Sequence, residues 1–296
     1  MFGAAAFFAV SVLAIHPRPA SASGFNPVLD EFWIVKNNSE LFRDSFNGTT
    51  APPPHGPDDS NSNSTGITYN TFGDGAFVGE SGGKLTIDPS LGSVSAASPN
   101  KFTQAIRRFS GADGFPSSLD QAASFEIHAL LDITDPSVNL PGLPGEFFGI
   151  RATDQGLSSV SNDRATLRVA ANGSSGIKIV YLDQDFTTPS SPLSTTLDSV
   201  SIGSIAGLTS IELILSKDAG SDQVQASYKL NGGAINNLLG FSTIYNGELV
   251  TRAEFDAGAA AATPLPAALP LFASGAGVLG FFGLRRKKKK AAQAAA

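Results

Sequence analysis

The sequence predicts a mainly β protein folded as a two-sheet sandwich, with a signal helix at its N-terminus and a short transmembrane helix at its C-terminus. Three observations lead to this prediction. Apolar and polar residues alternate with a period of two through the middle of the chain. The 31 Gly and 18 Pro residues, with many Asn, Ser and Thr, are typical of a protein rich in turns. Uncharged apolar runs stand at both ends.

The N-terminal segment has the order of a secretory signal peptide. An apolar run of 13 residues, Gly3–Ile15, is followed by two prolines that end any helix. The small-residue triplet Ala20-Ser21-Ala22 then matches a signal peptidase site. No Lys or Arg precedes the apolar run, so the true start codon could lie upstream. We therefore expect residues 1–22 to pass the Sec translocon and be removed; a buried N-terminal helix is the alternative.

The middle of the chain predicts antiparallel strands and hairpins. In "SFEIHALLDIT" one face is apolar, formed by Phe125, Ile127, Ala129, Leu131 and Ile133. "ATLRVAANGSSGIKIVYLD" and "SIELILSKDAGSDQVQASYKLNGG" each contain two alternating runs around a turn, which is the pattern of a β-hairpin. Residues 47–66 predict a long exposed loop, because Pro, Asn, Ser and Asp dominate them. The prediction is a sandwich over residues 23–256 and a small-residue linker over residues 257–262.

Charge and cysteine content exclude several functions. Between residues 23 and 284, 26 acidic side chains face 13 basic ones, so this region repels phosphate backbones and we expect no nucleic-acid partner. The chain has no Cys, which excludes disulfides, thiol catalysis and Cys-ligated metals.

The C-terminal segment predicts a short membrane helix with a cytoplasmic stop. Leu271–Leu284 is a continuous uncharged run after Pro270, and even the longer uncharged stretch from Ala267 would reach only about 21–27 Å, short of a ~30 Å hydrocarbon core. Six cations follow and should stay in the cytoplasm, which places the sandwich outside. These cations are Arg285, Arg286, Lys287, Lys288, Lys289 and Lys290.

This tail resembles the PEP-CTERM sorting signal of exported bacterial proteins, in its V-P-L-P-A variant. The resemblance covers residues 263–290: the motif Pro264-Leu265-Pro266-Ala267, the Gly-rich apolar run and the basic end, before the final residues 291–296. Leu265 replaces the more usual Glu of the motif, and Thr263 stands where Val is common. The resemblance implies a transient stay in the inner membrane and cleavage by an exosortase near Pro264–Ala267.

The sandwich resembles the concanavalin A-like lectin and glucanase fold, a jelly roll. The segments that carry the resemblance are "ELFRDSFNG", "SFEIHALLDI", "EFFGIRAT", "IELILSKDAGSDQVQASYKLNGG" and "NGELVTRAEF". Because jelly rolls bring their ends together, the resemblance implies that the first and last of these segments pair as neighbouring strands.

Few residues point to chemistry. "GESGG" at Gly79–Gly83 matches a hydrolase nucleophile motif, but strand-like flanks on both sides predict a hairpin turn instead. The Glu-x-Asp-x-x-Glu strand of sandwich glucanases is not found; the nearest pair is Asp183 and Asp185, which could bind Ca²⁺ or remain solvated edge charges. Trp33 is the only tryptophan, and the three His are scattered, so neither a sugar-stacking platform nor a metal set can be assigned.

We therefore expect a non-enzymatic protein without a cofactor, Ca²⁺ being the alternative at Asp183 and Asp185. It would first be tethered to the inner membrane and then reside at the cell surface or in the extracellular matrix, where it would bind polysaccharide or serve structurally. The alternative is an envelope or exopolysaccharide glycan hydrolase of the glucanase type.

Overall fold

The computed structural model describes a set of ranges within residues 24–260, and every structural statement below concerns them. These ranges are 24–46, 67–72, 78–89, 102–111, 119, 121–154, 163–173, 176–185, 193–244 and 251–260. They confirm a mainly β protein, with two antiparallel sheets in a sandwich-like arrangement and one helical turn, α1 (Pro136–Asn139). Among these residues, no helix has the length and apolar content that a membrane span requires.

Sheet A contains nine strands. Seven of them follow the order β14-β13-β12-β7-β1-β5-β4, while β2 pairs with β1 and β15 pairs with β13. The strands are β1 (Val28–Lys36), β2 (Ser39–Asp44), β4 (Val78–Glu80), β5 (Leu85–Ile87), β7 (Phe125–Asp132), β12 (Ser210–Lys217), β13 (Gln223–Leu230), β14 (Asn236–Asn237) and β15 (Ser242–Thr243).

Sheet B contains seven strands in the order β11-β10-β9-β8-β16-β6-β3. Its strands are β3 (Ile67–Phe72), β6 (Phe102–Gly111), β8 (Phe147–Asp154), β9 (Arg164–Ala171), β10 (Ile177–Asp185), β11 (Leu193–Ile202) and β16 (Thr251–Ala260).

The predicted hairpins are present because the turn residues and the alternation agree locally. β9 pairs with β10, β12 pairs with β13, and the "GESGG" segment is the turn between β4 and β5. β1 and β2 are joined by the two-residue turn Asn37-Asn38, in which both residues have positive φ angles of 49° and 62°. This conformation gives the turn the twist of its strands, and Asn tolerates it better than most residues.

The core lies between the two inner faces. The alternating residues predicted for β7 are buried there, as are Phe148, Ile150 and Ala152 of β8. Phe32 of sheet A meets Phe255 of sheet B edge to face with 5.2 Å between ring centroids. Tyr181 also crosses the core: its hydroxyl donates to the carbonyl of Val224 at 2.5 Å and accepts from the amide of Ser242 at 2.9 Å. Removal from water raises the pKa of this phenol, so it stays protonated and fixes one edge of the sandwich.

Two predictions about strand placement are wrong. The first and last segments do not pair: β2 pairs with β1 in sheet A, whereas β16 lies between β6 and β8 in sheet B. The linker predicted from residue 257 also begins too early, because β16 continues to Ala260 and Ala257 is fully buried. The run of small residues looked like a linker, but in a central strand small side chains allow close packing. The predicted signal peptide, membrane helix and sorting motif, with Ala20, Ala22, Pro264–Ala267 and 285–290, lie outside the described residues.

Candidate functional site

The outer face of sheet B carries a cluster of charged side chains. Along β8, β9 and β16 the apolar residues point into the core, so the alternate positions point outward. Those outward positions hold Arg151, Arg168, Glu254 and Asp256, which we call the sheet B charge cluster. Register brings them together, since Glu254 lies opposite Arg151. Three strands thus place two cations and two anions on the face of sheet B that points away from the core.

Ion pairs hold the cluster together. Arg151 donates from Nη2 to Oδ2 of Asp256, and Arg168 donates to the same oxygen at 3.3 Å. Glu254 lies 3.7 Å from Nη1 of Arg151 and accepts a hydrogen bond from the hydroxyl of Thr153 at 3.3 Å. Arg151 is 2 % exposed, Glu254 1 % and Asp256 0 %. Each carboxylate therefore faces an arginine and is shielded from solvent.

Two glycines make room for the cluster. A Cβ atom at Gly149 would lie 2.6 Å from Cγ of Arg168, and one at Gly258 would lie 2.3 Å from Cε1 of Phe147. Arg168 lies over Gly149 and Phe147 over Gly258, and the guanidinium of Arg168 covers the Phe147 ring at 3.9 Å from its centroid. Burial lowers the pKa of Arg168 to about 10, against the opposing effect of Asp256. The guanidinium therefore keeps its charge at neutral pH.

The arrangement favours cohesion over acid–base chemistry. A glycoside hydrolase needs one carboxyl group that can give a proton to the substrate and a second that can attack or activate water. In the sheet B charge cluster both carboxylates are held by cations and are excluded from solvent. What the four groups do chemically is to join β8, β9 and β16 by charge-assisted hydrogen bonds.

The sequence contains a signal for this cluster that the pair Asp183 and Asp185 does not include. "AEFDAG" holds a Glu-x-Asp pair within an alternating strand. The arginines likewise alternate with apolar residues in "FFGIRAT" and "ATLRVAA". Charges placed every second residue in otherwise apolar strands predict a charged sheet face.

Asp183 and Asp185 lie on the same side of β10, as their spacing predicts. Asp183 accepts a hydrogen bond of 2.6 Å from the hydroxyl of Ser242, which ties β10 to β15. Within the described ranges, no group of three or more His, Asp or Glu side chains could hold a metal ion.

Trp33 lies on the outer face of sheet A in a stack of three side chains. The indole packs parallel to the imidazole of His128, with 4.5 Å between centroids and 9° between planes. The guanidinium of Arg43 lies 4.7 Å from the indole centroid. Because β2 and β7 flank β1 on opposite sides, these neighbours cover both faces of the indole. A sugar ring therefore has no free indole face to stack on.

His128 connects three strands of sheet A. Its Nε2 atom lies 2.9 Å from Glu126 and its Nδ1 atom 3.0 Å from Glu212. Glu212 also receives Lys229, with Nζ 3.0 Å from Oε2. Burial raises the pKa of Glu212, but hydrogen bonds from His128 and Lys229 outweigh it and hold the pKa below its usual range.

Two small depressions lie at the margins of the sandwich. One, of about 150 Å³, is lined by polar residues around Asn37 and Lys217; the other, of about 260 Å³, is lined by Pro136, Leu140 and Ile205 among others. Ligand pockets for small molecules are larger, about 300–1,000 Å³. Lys217 is used structurally, since its ammonium donates to the carbonyls of Gln121, Asp218 and Ser221.

Comparison with known proteins gives distant likenesses. No protein family model matches the chain, and no curated protein matches it. A solved structure of a GH43_12 protein from a capybara gut metagenome is similar over 60 % of this chain, with a TM-score of 0.33 and 15 % identity. The chain spans 36 % of that protein.

A second similar structure is the CBM2 module of the evolved Dit of Lactobacillus casei BL23 phage J-1. It covers 79 % of this chain and 90 % of its own, with a TM-score of 0.27 and 11 % identity. At such TM-scores neither neighbour assigns an activity or a ligand to this chain.

Proposed function

We propose that this chain is an exported, non-enzymatic surface protein whose β-sandwich, arranged as a concanavalin A-like jelly roll, serves a structural role at the cell surface or in the extracellular matrix. The observation that carries the proposal is the state of the sheet B charge cluster. Glu254 and Asp256 are buried against Arg151 and Arg168, so they are committed to holding strands together. The covered indole of Trp33 adds to this, because it removes an obvious surface for stacking a sugar.

Export is proposed from the two ends of the sequence. The run Gly3–Ile15 with Ala20 and Ala22 fits a signal peptide, and the tail fits a sorting signal with Pro264-Leu265-Pro266 before a short apolar run. The precursor would span the inner membrane transiently, with the basic block inside, until an exosortase cuts near the proline motif. The acidic excess of the sandwich would then keep the released domain soluble.

The processing step is tested by following the tail in cells with and without the exosortase. We expect mass spectrometry of the mature protein to find a C-terminus between Pro264 and Ala267 only when the enzyme is present. The double variant Pro264→Ala, Pro266→Ala should keep its tail, whereas Pro270→Ala, a matched proline outside the motif, should lose it. A tail-bearing protein in both strains would overturn the processing proposal.

The structural role is tested with glycans. The exported protein should give no signal on a glycan array and release no sugar from envelope or extracellular polysaccharides. If it does cleave a glycan, and Glu254→Gln and Asp256→Asn abolish cleavage while the protein stays folded by circular dichroism, the structural role is wrong.

That outcome would support a glycan hydrolase, the second candidate. Its specific support is the pair Glu254 and Asp256, two residues apart on one face of a central strand beside Phe147 and Arg168. A glycan that binds without being cleaved would instead indicate a lectin. Loss of that binding in a chelator, and its return with Ca²⁺, would point to Asp183 and Asp185.

A further inference from the structure

One edge of the sandwich is open. β11 is the terminal strand of sheet B, and none of the described strands pairs along its outer edge. Its first four residues, Leu193–Thr196, are all exposed, and a register shift against β10 follows at Leu197. By contrast β14, at one end of sheet A, has only two residues. An open edge strand offers unpaired backbone N–H and C=O groups to another chain.

An apolar rim borders this edge. It consists of Leu193, Leu239 and Phe241, which are 68 %, 76 % and 49 % exposed. Leu193 is a residue of β11, and hydrogen bonds place Leu239 and Phe241 beside β11 and its neighbour β10. The amide of Leu239 donates to Asp198 of β11 at 2.7 Å. Ser242, which follows Phe241, donates its hydroxyl to Asp183 of β10, and Asp183 lies opposite Thr195 of β11. Neighbouring exposed large apolar side chains mark an interaction surface more often than single ones do.

The same region is almost uncharged. Within β11 and residues 231–243 the only charged side chain is Asp198. Its Oδ1 accepts the amide of Ser199 and its Oδ2 accepts the amide of Leu239, both at 2.7 Å. Asp198 is thus satisfied locally. The rest of residues 23–284 carries a large acidic excess, so another acidic surface meets fewer charged side chains along β11 and residues 231–243 than the sequence carries on average.

We propose that this edge is the docking surface for a second copy of the chain, which pairs its own Leu193–Thr196 antiparallel to the first. A twofold axis at Thr195 would place the two Thr195 residues opposite each other, and each Ser194 opposite a Thr196. Cross-strand hydroxyl pairs of this kind are favourable. The two apolar rims would then flank the joined strands, and the two B sheets would form one continuous sheet.

Other occupants fit the chemistry less well. A basic protein would find no unengaged carboxylate here, since Asp198 already accepts two amides. An anionic lipid surface would find no Lys or Arg in β11 or in residues 231–243. A second copy brings an equally uncharged edge and an equal set of hydrogen-bonding groups. The inference extends the structural role proposed above by naming its partner.

The first test uses the absence of native cysteines. A single-cysteine variant, Ser194→Cys, is prepared in the full chain as its host exports it and treated with a short bismaleimide. We expect a covalent dimer. The matched control is Leu143→Cys, an exposed leucine in the loop between β7 and β8, which should give none. Equal cross-linking at both positions, or none at Ser194→Cys, would overturn the interface.

The second test measures self-association by sedimentation. The wild-type protein should dimerise, and Leu239→Asp with Phe241→Asp should weaken the dimer at least about tenfold, because two carboxylates per copy would face each other in an apolar contact. Leu143→Asp should not change it. A monomeric wild type refutes the proposal. If that monomer binds lipid vesicles and the Leu239→Asp, Phe241→Asp variant does not, the rim is a membrane contact.

These tests separate the two proposals. A dimer that hydrolyses glycans would keep the interface and overturn the structural role, whereas a monomer silent on glycans would do the reverse.

Discussion

Removing the cation at the centre of the sheet B charge cluster should destabilise the sandwich strongly. In Arg151→Ala, Asp256 loses the hydrogen bond from Nη2 and Glu254 loses the guanidinium 3.7 Å away, while Arg168 and the hydroxyl of Thr153 remain. Breaking a buried ion pair by deleting one partner costs about 3–5 kcal/mol, because the remaining charge stays buried. For a domain of this size that cost corresponds to a Tm lower by about 6–20 °C.

The assay is denaturant unfolding followed by circular dichroism, with thermal scans alongside. Arg43→Ala is the matched control, because its partners Glu31 and Glu40 are partly exposed and such surface pairs contribute about 0–1 kcal/mol. Arg151→Lys should fall between the two, since it keeps the charge but loses the forked geometry. If Arg151→Ala costs no more than Arg43→Ala, the cluster does not hold the strands together, and the proposed structural role is wrong in its main premise.

Three further predictions follow from other contacts. Gly258→Ala should lower the free energy of unfolding by about 1–3 kcal/mol, because the new methyl group would overlap the ring of Phe147. Phe147→Leu in the same chain should recover part of that loss. An unchanged Tm for Gly258→Ala in thermal scans would show that the Phe147 ring can move away. Asn38→Val should cost about 1–2 kcal/mol in denaturant unfolding and Asn38→Gly nothing, because position 38 is left-handed; equal stabilities would contradict this. Because the pKa of Glu212 is held below its usual range, its ionised carboxylate stabilises the fold at neutral pH, and this stabilisation is lost as the pH falls below about 4. Glu212→Gln should therefore reduce the slope of the free energy of unfolding against pH in the acid range. An unchanged slope would refute this role of Glu212.

The sequence was informative where structure is local. The turn residues between β9 and β10, and between β12 and β13, stand directly between the strands they join, so those hairpins could be predicted. The inner face of β7 could be predicted too, because alternation is a property of neighbouring residues.

Long-range pairing could not be predicted in the same way. Nothing near residue 251 indicates that β16 inserts between β6 and β8, and Arg151 meets Asp256 across 105 residues of sequence. Alternation shows that these side chains share a sheet face but not which strands lie side by side. For the same reason the sequence offered Trp33 as a candidate without showing that Arg43 and His128 cover it.

The central place of β16 also determines when the sandwich can form. As the chain emerges N-terminus first, β8 to β11 can assemble as successive hairpins, and β6 can pair with β3. Among the described strands, the two groups meet only through Thr251–Ala260, the last of them to emerge. Until then each group has an open edge, and β16 must enter between them. Folding of sheet B is therefore a late event, and a chain that has not yet released residues 251–260 would display two unfinished half-sheets.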